Sequence, residues 1–144
     1  MKSIVTRHEV HTGTDVVLID ITDDVKRTVE ASGVSEGVAF ITTLHTTTSI
    51  TINEGLPDVE ADLVQMLERL VPTDAPEYTH ARFLPTDGAM AINSACHQRA
   101  ALLGMQVAFP VEGGRLTLGG RQTIYFVELD GPLLRRYMVH VVGD

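Results

Sequence analysis

A mixture of strands and helices in one domain is what this sequence predicts, on three observations. Its 144 residues are enough for one domain with a sizeable core and too few for two. Apolar residues recur at helical spacing in three places, ending at Gly33, Pro72 and Gly104. The last third is a succession of short apolar or alternating runs broken by glycine turns, which reads as strands. Apolar residues make up 44% of the chain but aromatics only 5%, with no Trp, so the core is expected to be aliphatic.

In chain order, residues 3–10 alternate loosely, and 15–20 form a short β-branched run after the turn signal HTGTD. Together they predict an opening hairpin. Thr22 is placed to cap a helix running through Val25 and Val29 to Gly33, with Asp23 and Asp24 in its first turn, where the dipole favours acids. His8 and His11 are expected to be ordinary surface residues.

The stretch 37–54, GVAFITTLHTTTSITINE, is the centre of the chain. An apolar strand delivers His45 into the hydroxyls of Thr46, Thr47, Thr48 and Ser49, and a second alternating strand closes on Asn53 and Glu54. So dense a run of polar groups is costly to bury unpaired. It reads either as a pocket wall or as a solvent-facing edge of strand-favouring threonines.

Pro57 suits a first helical turn, and Val59, Leu63, Leu67, Leu70 and Val71 then recur on one face up to Pro72, as in a helix covering a sheet. Residues 72–90 form the longest stretch without periodicity, with His80 in the middle; loops of this kind often carry function. Asn93 or Ser94 then opens a helix that ends at Gly104. Asn93 and His97 share one face near its N-terminus, where an anion is favoured, or else make only local contacts. Cys96 is the single cysteine, and neighbouring helical residues point about 100° apart, so it does not share the direction of His97.

Strands are predicted at 105–111, 115–118, 122–129 and 134–142, separated by EGG, LGG and DGP turns. In the third of these, Gln122, Ile124, Phe126 and Glu128 lie on one face. A charge at such a position calls for a partner, drawn from Arg115, Arg121, Arg135 or Arg136.

The formal charge of −8, with eleven Lys plus Arg, argues against a general nucleic-acid binder. One cysteine excludes an intramolecular disulfide and a cysteine-rich zinc site. The first residues lack the apolar core of a signal peptide, and no run approaches the roughly 20 apolar residues needed to span a bilayer. A soluble cytoplasmic protein is the expectation.

The blocks HTTTSITINEG, PDVEADLVQMLERLVP, NSACHQRAALLG and EGGRLTLGGRQTIYFVELDGPLLRR, in this order, resemble the YjbQ family, often labelled secondary thiamine-phosphate synthase. The resemblance covers nearly the whole chain, residues 1–144 as one domain. It implies an α+β sandwich of mainly antiparallel strands with about three helices, assembled as a homotrimer with sites near subunit boundaries. The family's His-Thr-Thr/Ser segment falls on His45, Thr46 and Thr47, and its Asn-Glu pair on Asn53 and Glu54. Its Tyr-x-His falls on Tyr78 and His80, and its helix-opening Asn and the later His on Asn93 and His97. Its Gly-Thr-Trp-Gln block falls on Gly119, Gly120, Arg121 and Gln122. Here Arg121 replaces a Trp, so a flat apolar contact becomes a cationic one.

Two chemistries follow. The first is a transferase of the thiamine-phosphate synthase type, acting on phosphorylated small molecules as a side activity with a different native substrate. It would use His45, Glu54 and His97 catalytically and Thr46, Thr47, Asn53, Asn93, Arg121, Gln122 and Glu128 at the substrate. The second is a zinc or other divalent metal site on His45, His80 and His97, with Glu54 or Glu128 as base or outer partner. A trimeric ligand-binding protein without turnover is the third reading. In each, the partner is a small anionic molecule and a second copy of the chain, with neither nucleic acid nor membrane involved.

Overall fold

Alternation along the strands decides how the layers stack. A computed structural model describes residues 1–14, 16–80 and 93–144. The ARFLPTDGAM stretch of the long loop lies outside the described residues. The elements are β1 (Lys2–His11), β2 (Val17–Asp20), α1 (Thr22–Ser32), β3 (Gly37–Thr43), β4 (Thr48–Glu54), α2 (Pro57–Leu70), α3 (Ser94–Leu103), β5 (Gln106–Glu112), β6 (Arg115–Leu116), β7 (Gln122–Glu128) and β8 (Leu134–Gly143). They form a five-stranded sheet in the order β1-β8-β3-β5-β6 and a three-stranded sheet in the order β2-β7-β4. Every pairing is antiparallel. This is the α+β architecture expected.

The two sheets and α1 share one aliphatic core. Ala39 and Ile41 of β3 and Val139 and Val141 of β8 meet Ile50 of β4, Ile124 and Phe126 of β7, and Val25 and Val29 of α1. Burying each such side chain contributes roughly 1.5–3 kcal/mol, so this layer fixes how the sheets face one another. β7 is buried on both sides. Its other face, Tyr125 and Val127 with Leu129 beyond it, packs with Leu67 of α2 and Ala100 of α3.

The predicted opening hairpin does not form. β1 pairs with β8 in the large sheet, and β2 pairs with β7 in the small one. The HTGTD segment therefore carries the chain from one sheet to the other. Thr12 is tied down there, its hydroxyl donating 2.8 Å to Glu128 Oε2 and accepting 2.8 Å from the Leu133 N–H. β3 and β4 likewise lie in different sheets, so the residues between them cross the same gap.

Helix boundaries agree with the sequence, but one cap moves. Asp20, rather than Thr22, takes up an end N–H, its Oδ1 accepting from Thr22 N at 2.9 Å. The Thr22 hydroxyl instead accepts 2.9 Å from Ile124 N of β7 and ties α1 to the small sheet. Gly33 ends the helix with φ 64°, a left-handed value that favours glycine. His8 is not an ordinary surface residue. Its ring stacks on Tyr137 with centroids 4.8 Å apart, and its Nε2 lies 3.0 Å from the Thr28 hydroxyl. Burial holds its pKa below 6.5, with Arg27 adding to the effect and Asp24 opposing it. Among the described residues no helix is long and apolar enough to cross a membrane.

Candidate functional site

Where the chain crosses between the sheets after β3, it opens a cleft of about 420 Å³ lined by His45, Thr46 and Thr47. Opposite them stand His80, Asn93 and His97, and the segment around Asp130 and Arg135 closes the base. Three imidazoles far apart in sequence thus share one wall-to-wall space. Its members come from the β3–β4 crossing, the middle of the long loop, the start of α3 and the segment that leads into β8.

The hydrogen bonds fix several proton positions. His45 Nε2 accepts the backbone N–H of Arg136 at 2.8 Å, so that nitrogen carries no proton and the neutral ring is protonated at Nδ1. Burial keeps the His45 pKa below 6.5; Arg135 and Arg136 add to this and Glu128 opposes it. Asn93 Nδ2 donates 2.6 Å to Asp130 Oδ2, which leaves its Oδ1 facing His80 Nε2 at 3.1 Å. His80 is therefore the donor in that bond. Its ring meets His97 edge-on, with centroids 5.2 Å apart and planes at 88°.

Asn93 is the N-cap of α3 but makes no side-chain cap bond, and the first turn holds no acid. The Cys96 and His97 N–H groups return to the Asn93 carbonyl at 3.0 and 3.4 Å. The N–H groups of Ser94 and Ala95 lie at the positive end of the helix dipole with no described acceptor.

Beneath the cleft lies a buried ion pair. Glu128 is fully buried and accepts from Arg135 at 2.7 and 2.8 Å, from Thr12 at 2.8 Å, and from the Leu129 and Asp130 N–H groups at 3.0 and 2.9 Å. Arg135 Nη2 also donates 2.9 Å to the Thr47 hydroxyl. One carboxylate thus braces both walls, through Arg135 to Thr47 and through Asp130 to Asn93 and His80. Gly131 permits the turn above it, since a Cβ there would stand 2.4 Å from the Thr14 carbonyl oxygen and 2.8 Å from Glu128 Cγ.

Several expected roles change. Glu128 cannot touch a substrate, because no surface of it is exposed and its oxygens are engaged. Of the hydroxyl run, Thr46 is exposed at the cleft, Thr47 serves Arg135, Thr48 pairs with Thr43, and Ser49 donates to the Gly104 carbonyl. Glu54, Asn53, Arg121 and Gln122 gather at the opposite end of the small sheet. Thr48 pairs with Glu128 at the cleft end of β4, and Glu54 pairs with Gln122 at the other, about 20 Å away. Arg121 Nη1 meets Glu54 Oε1 at 2.7 Å on the surface. Glu54 therefore does not meet His45 and His97 within one chain.

A divalent metal fits this cleft poorly. Among the described residues no three His, Cys, Asp or Glu side chains are grouped to hold an ion. For His45 to offer Nδ1 as a ligand, the proton would have to move to Nε2, against the Arg136 N–H. Burial, then the charge of Asp130, pushes the Cys96 thiol up to about 11, which disfavours the thiolate a nucleophile needs. The sequence offered Arg135 only as one of four partners for Glu128 and did not single out Asp130. Arg135 was detectable as a charge in phase with Tyr137, Val139 and Val141 on the inward face of a strand. Asp130 was hidden in a turn signal.

The fold and cleft define a two-sheet α+β protein with a histidine-lined polar site at the sheet crossing. The chain matches the family described as UPF0047 protein YjbQ-like over residues 6–144, and it belongs to that family. A UPF0047 protein from Archaeoglobus fulgidus is 42% identical over 124 residues, covering 86% of this chain and 90% of the relative. YugU from Bacillus subtilis is 35% identical, covering 88% and 89%. Among solved structures, a YbjQ-like protein of unknown function from Sulfolobus solfataricus superposes with a TM-score of 0.90 at 31% identity over 99% of both chains.

Proposed function

We propose that the histidine-lined cleft binds a small phosphorylated molecule and supports group transfer of the thiamine-phosphate synthase type as a side activity, its native substrate being of the same anionic class. The observation that carries this reading is the meeting of His45, Thr46 and His97 beside an uncapped helix N-terminus, a set rich in N–H and O–H donors. In such a transfer the carbon–oxygen bond to diphosphate breaks, the electron pair leaves with diphosphate, and a carbon–nitrogen bond forms to the thiazole ring. Little acid–base work is required. His45 Nδ1–H, the Thr46 hydroxyl and the α3 N–H groups would hold the leaving phosphates, and His97 would donate as charge develops.

Assembly belongs to the same proposal. The outer face of the five-stranded sheet carries Val5, Val38, Phe40, Ala108, Met138 and Val142, and among the described residues no helix lies over it, which supports assembly as a homotrimer. In a trimer the Glu54–Arg121 end of one copy would complete the cleft of the next. The test is rescue of a thiamine-requiring strain that lacks its own synthase. The parent protein should restore growth, and His45→Ala, His97→Ala and Glu54→Gln should not. Failure of the parent at high expression would remove the transferase reading.

A further inference from the structure

Among the described residues, His140 of β8 is the one titratable side chain in the apolar part of the outer sheet face. In register it lies between Val5 of β1 and Phe40 of β3, and Val142, Val38 and Met138 occupy the adjoining rows. Its Nε2 is 2.8 Å from the Ser3 hydroxyl, and its ring tilts against Phe40 with centroids 6.2 Å apart and planes at 42°. The imidazole is half-buried in the single chain, while Val5 and Val38 beside it are exposed. Whatever covers those two side chains covers His140 as well.

The charged residues of this face stand farther off. Arg7 of β1 is one row away, opposite Met138; Glu9 and Arg136 pair at 3.2 Å in the row after that, and Glu112 of β5 lies opposite Arg115 of β6. Met1 and Asp144 pair at 2.8 Å past the strand ends. Among the described residues no carboxylate forms an ion pair with His140, so none balances a proton there. The strand charges leave the face one positive in a chain whose formal charge is −8. An acidic chain can therefore meet its own copy through this face without mutual repulsion, whereas a strongly charged partner finds no matching charge.

We infer that His140 makes assembly through this face proton-sensitive: neutral, its ring is a flat contact anchored on Ser3 and covered by the neighbouring copy; protonated, it sets an unpaired charge in that contact and opens it. This rests on the assembly reading given above and adds its regulation. Imidazole changes charge between pH 8 and 5, and burying the charged form among apolar side chains without a counter-ion is costly. In that reading Glu54 and Arg121 of one copy complete the cleft of the next, so acid takes the site apart together with the trimer.

Sedimentation velocity of the full chain at pH 8 and pH 5.5, with circular dichroism to follow the fold, tests it. The parent should be trimeric at pH 8 and dissociate at pH 5.5 with its fold retained. Its dissociation constant should rise by up to about a thousandfold per pH unit, since each trimer holds three such imidazoles. His140→Phe, a flat ring that takes no proton, should stay trimeric at both pH values, and His140→Lys, charged throughout, should be monomeric at pH 8. A parent trimer that persists or tightens at pH 5.5, dissociation that only accompanies loss of the fold, or a His140→Phe trimer that dissociates in acid as the parent does would overturn the inference and leave the assembly standing. A parent that is monomeric at both pH values would remove the assembly reading and this inference with it.

Discussion

Glu128 is fully buried, and its oxygens are occupied by Arg135, Thr12 and two backbone N–H groups. Burial alone would raise its pKa, but the Arg135 and Asp130 hydrogen bonds, then Thr12 and the Arg135 charge, outweigh that and hold it below the ordinary range. The sign of the linkage follows. A depressed folded pKa gives stability that is complete above the unfolded value of about 4.3 and is lost as pH falls through the folded value. Urea denaturation as a function of pH should show this acid limb in the parent and a shallower limb on a lower plateau in Glu128→Gln; parallel curves would contradict the assignment. Glu128→Ala, which strands Arg135, should cost about 3–5 kcal/mol. That Glu128 needed an arginine was legible from its place on an apolar face. Which of four arginines it would be was not, because only the approach of β8 to the end of β7 brings Arg135 within reach.

At the scale of elements, Arg99 clamps α3 to the end of α2 through the Val71 carbonyl, Thr73 and Glu68, with 4% of its surface exposed. Arg99→Met should leave the Val71 carbonyl without its donor and cost about 1–3 kcal/mol in denaturant titration. A change within the error of that measurement would mean the clamp is dispensable. The helices themselves were legible, since Gly33, Pro57 and Gly104 fall at their ends as local backbone chemistry requires. The pairing of the first two strands was not: a hairpin of residues 3–10 and 15–20 was expected, and they lie in different sheets. Strand alternation says which face is inward, but it does not say which strand lies alongside, and Thr12 bonds to Glu128 instead of closing a turn.

For the whole molecule, the outer sheet face that no described helix covers is the feature with the largest consequence. Val38 is 37% exposed and Val5 46%, in register with β8 residues on the same outer face. Sedimentation velocity should find a trimer for the parent, and Val38→Glu, which places a charge on that face, should shift it to monomer. A monomeric parent would refute the assembly and with it any contribution of Glu54 to a neighbouring cleft. The chain by itself determined the number and kind of elements, the helix ends and the polarity of the 45–54 stretch, because periodicity, capping and turn chemistry act over a few residues. Only the tertiary structure decided that His45, His80 and His97 share a cleft, that Glu54 lies at the other end of the small sheet, and that Arg135 and Asp130 belong to the site. Contacts between segments far apart in sequence depend on strand order and register, which the local pattern leaves open.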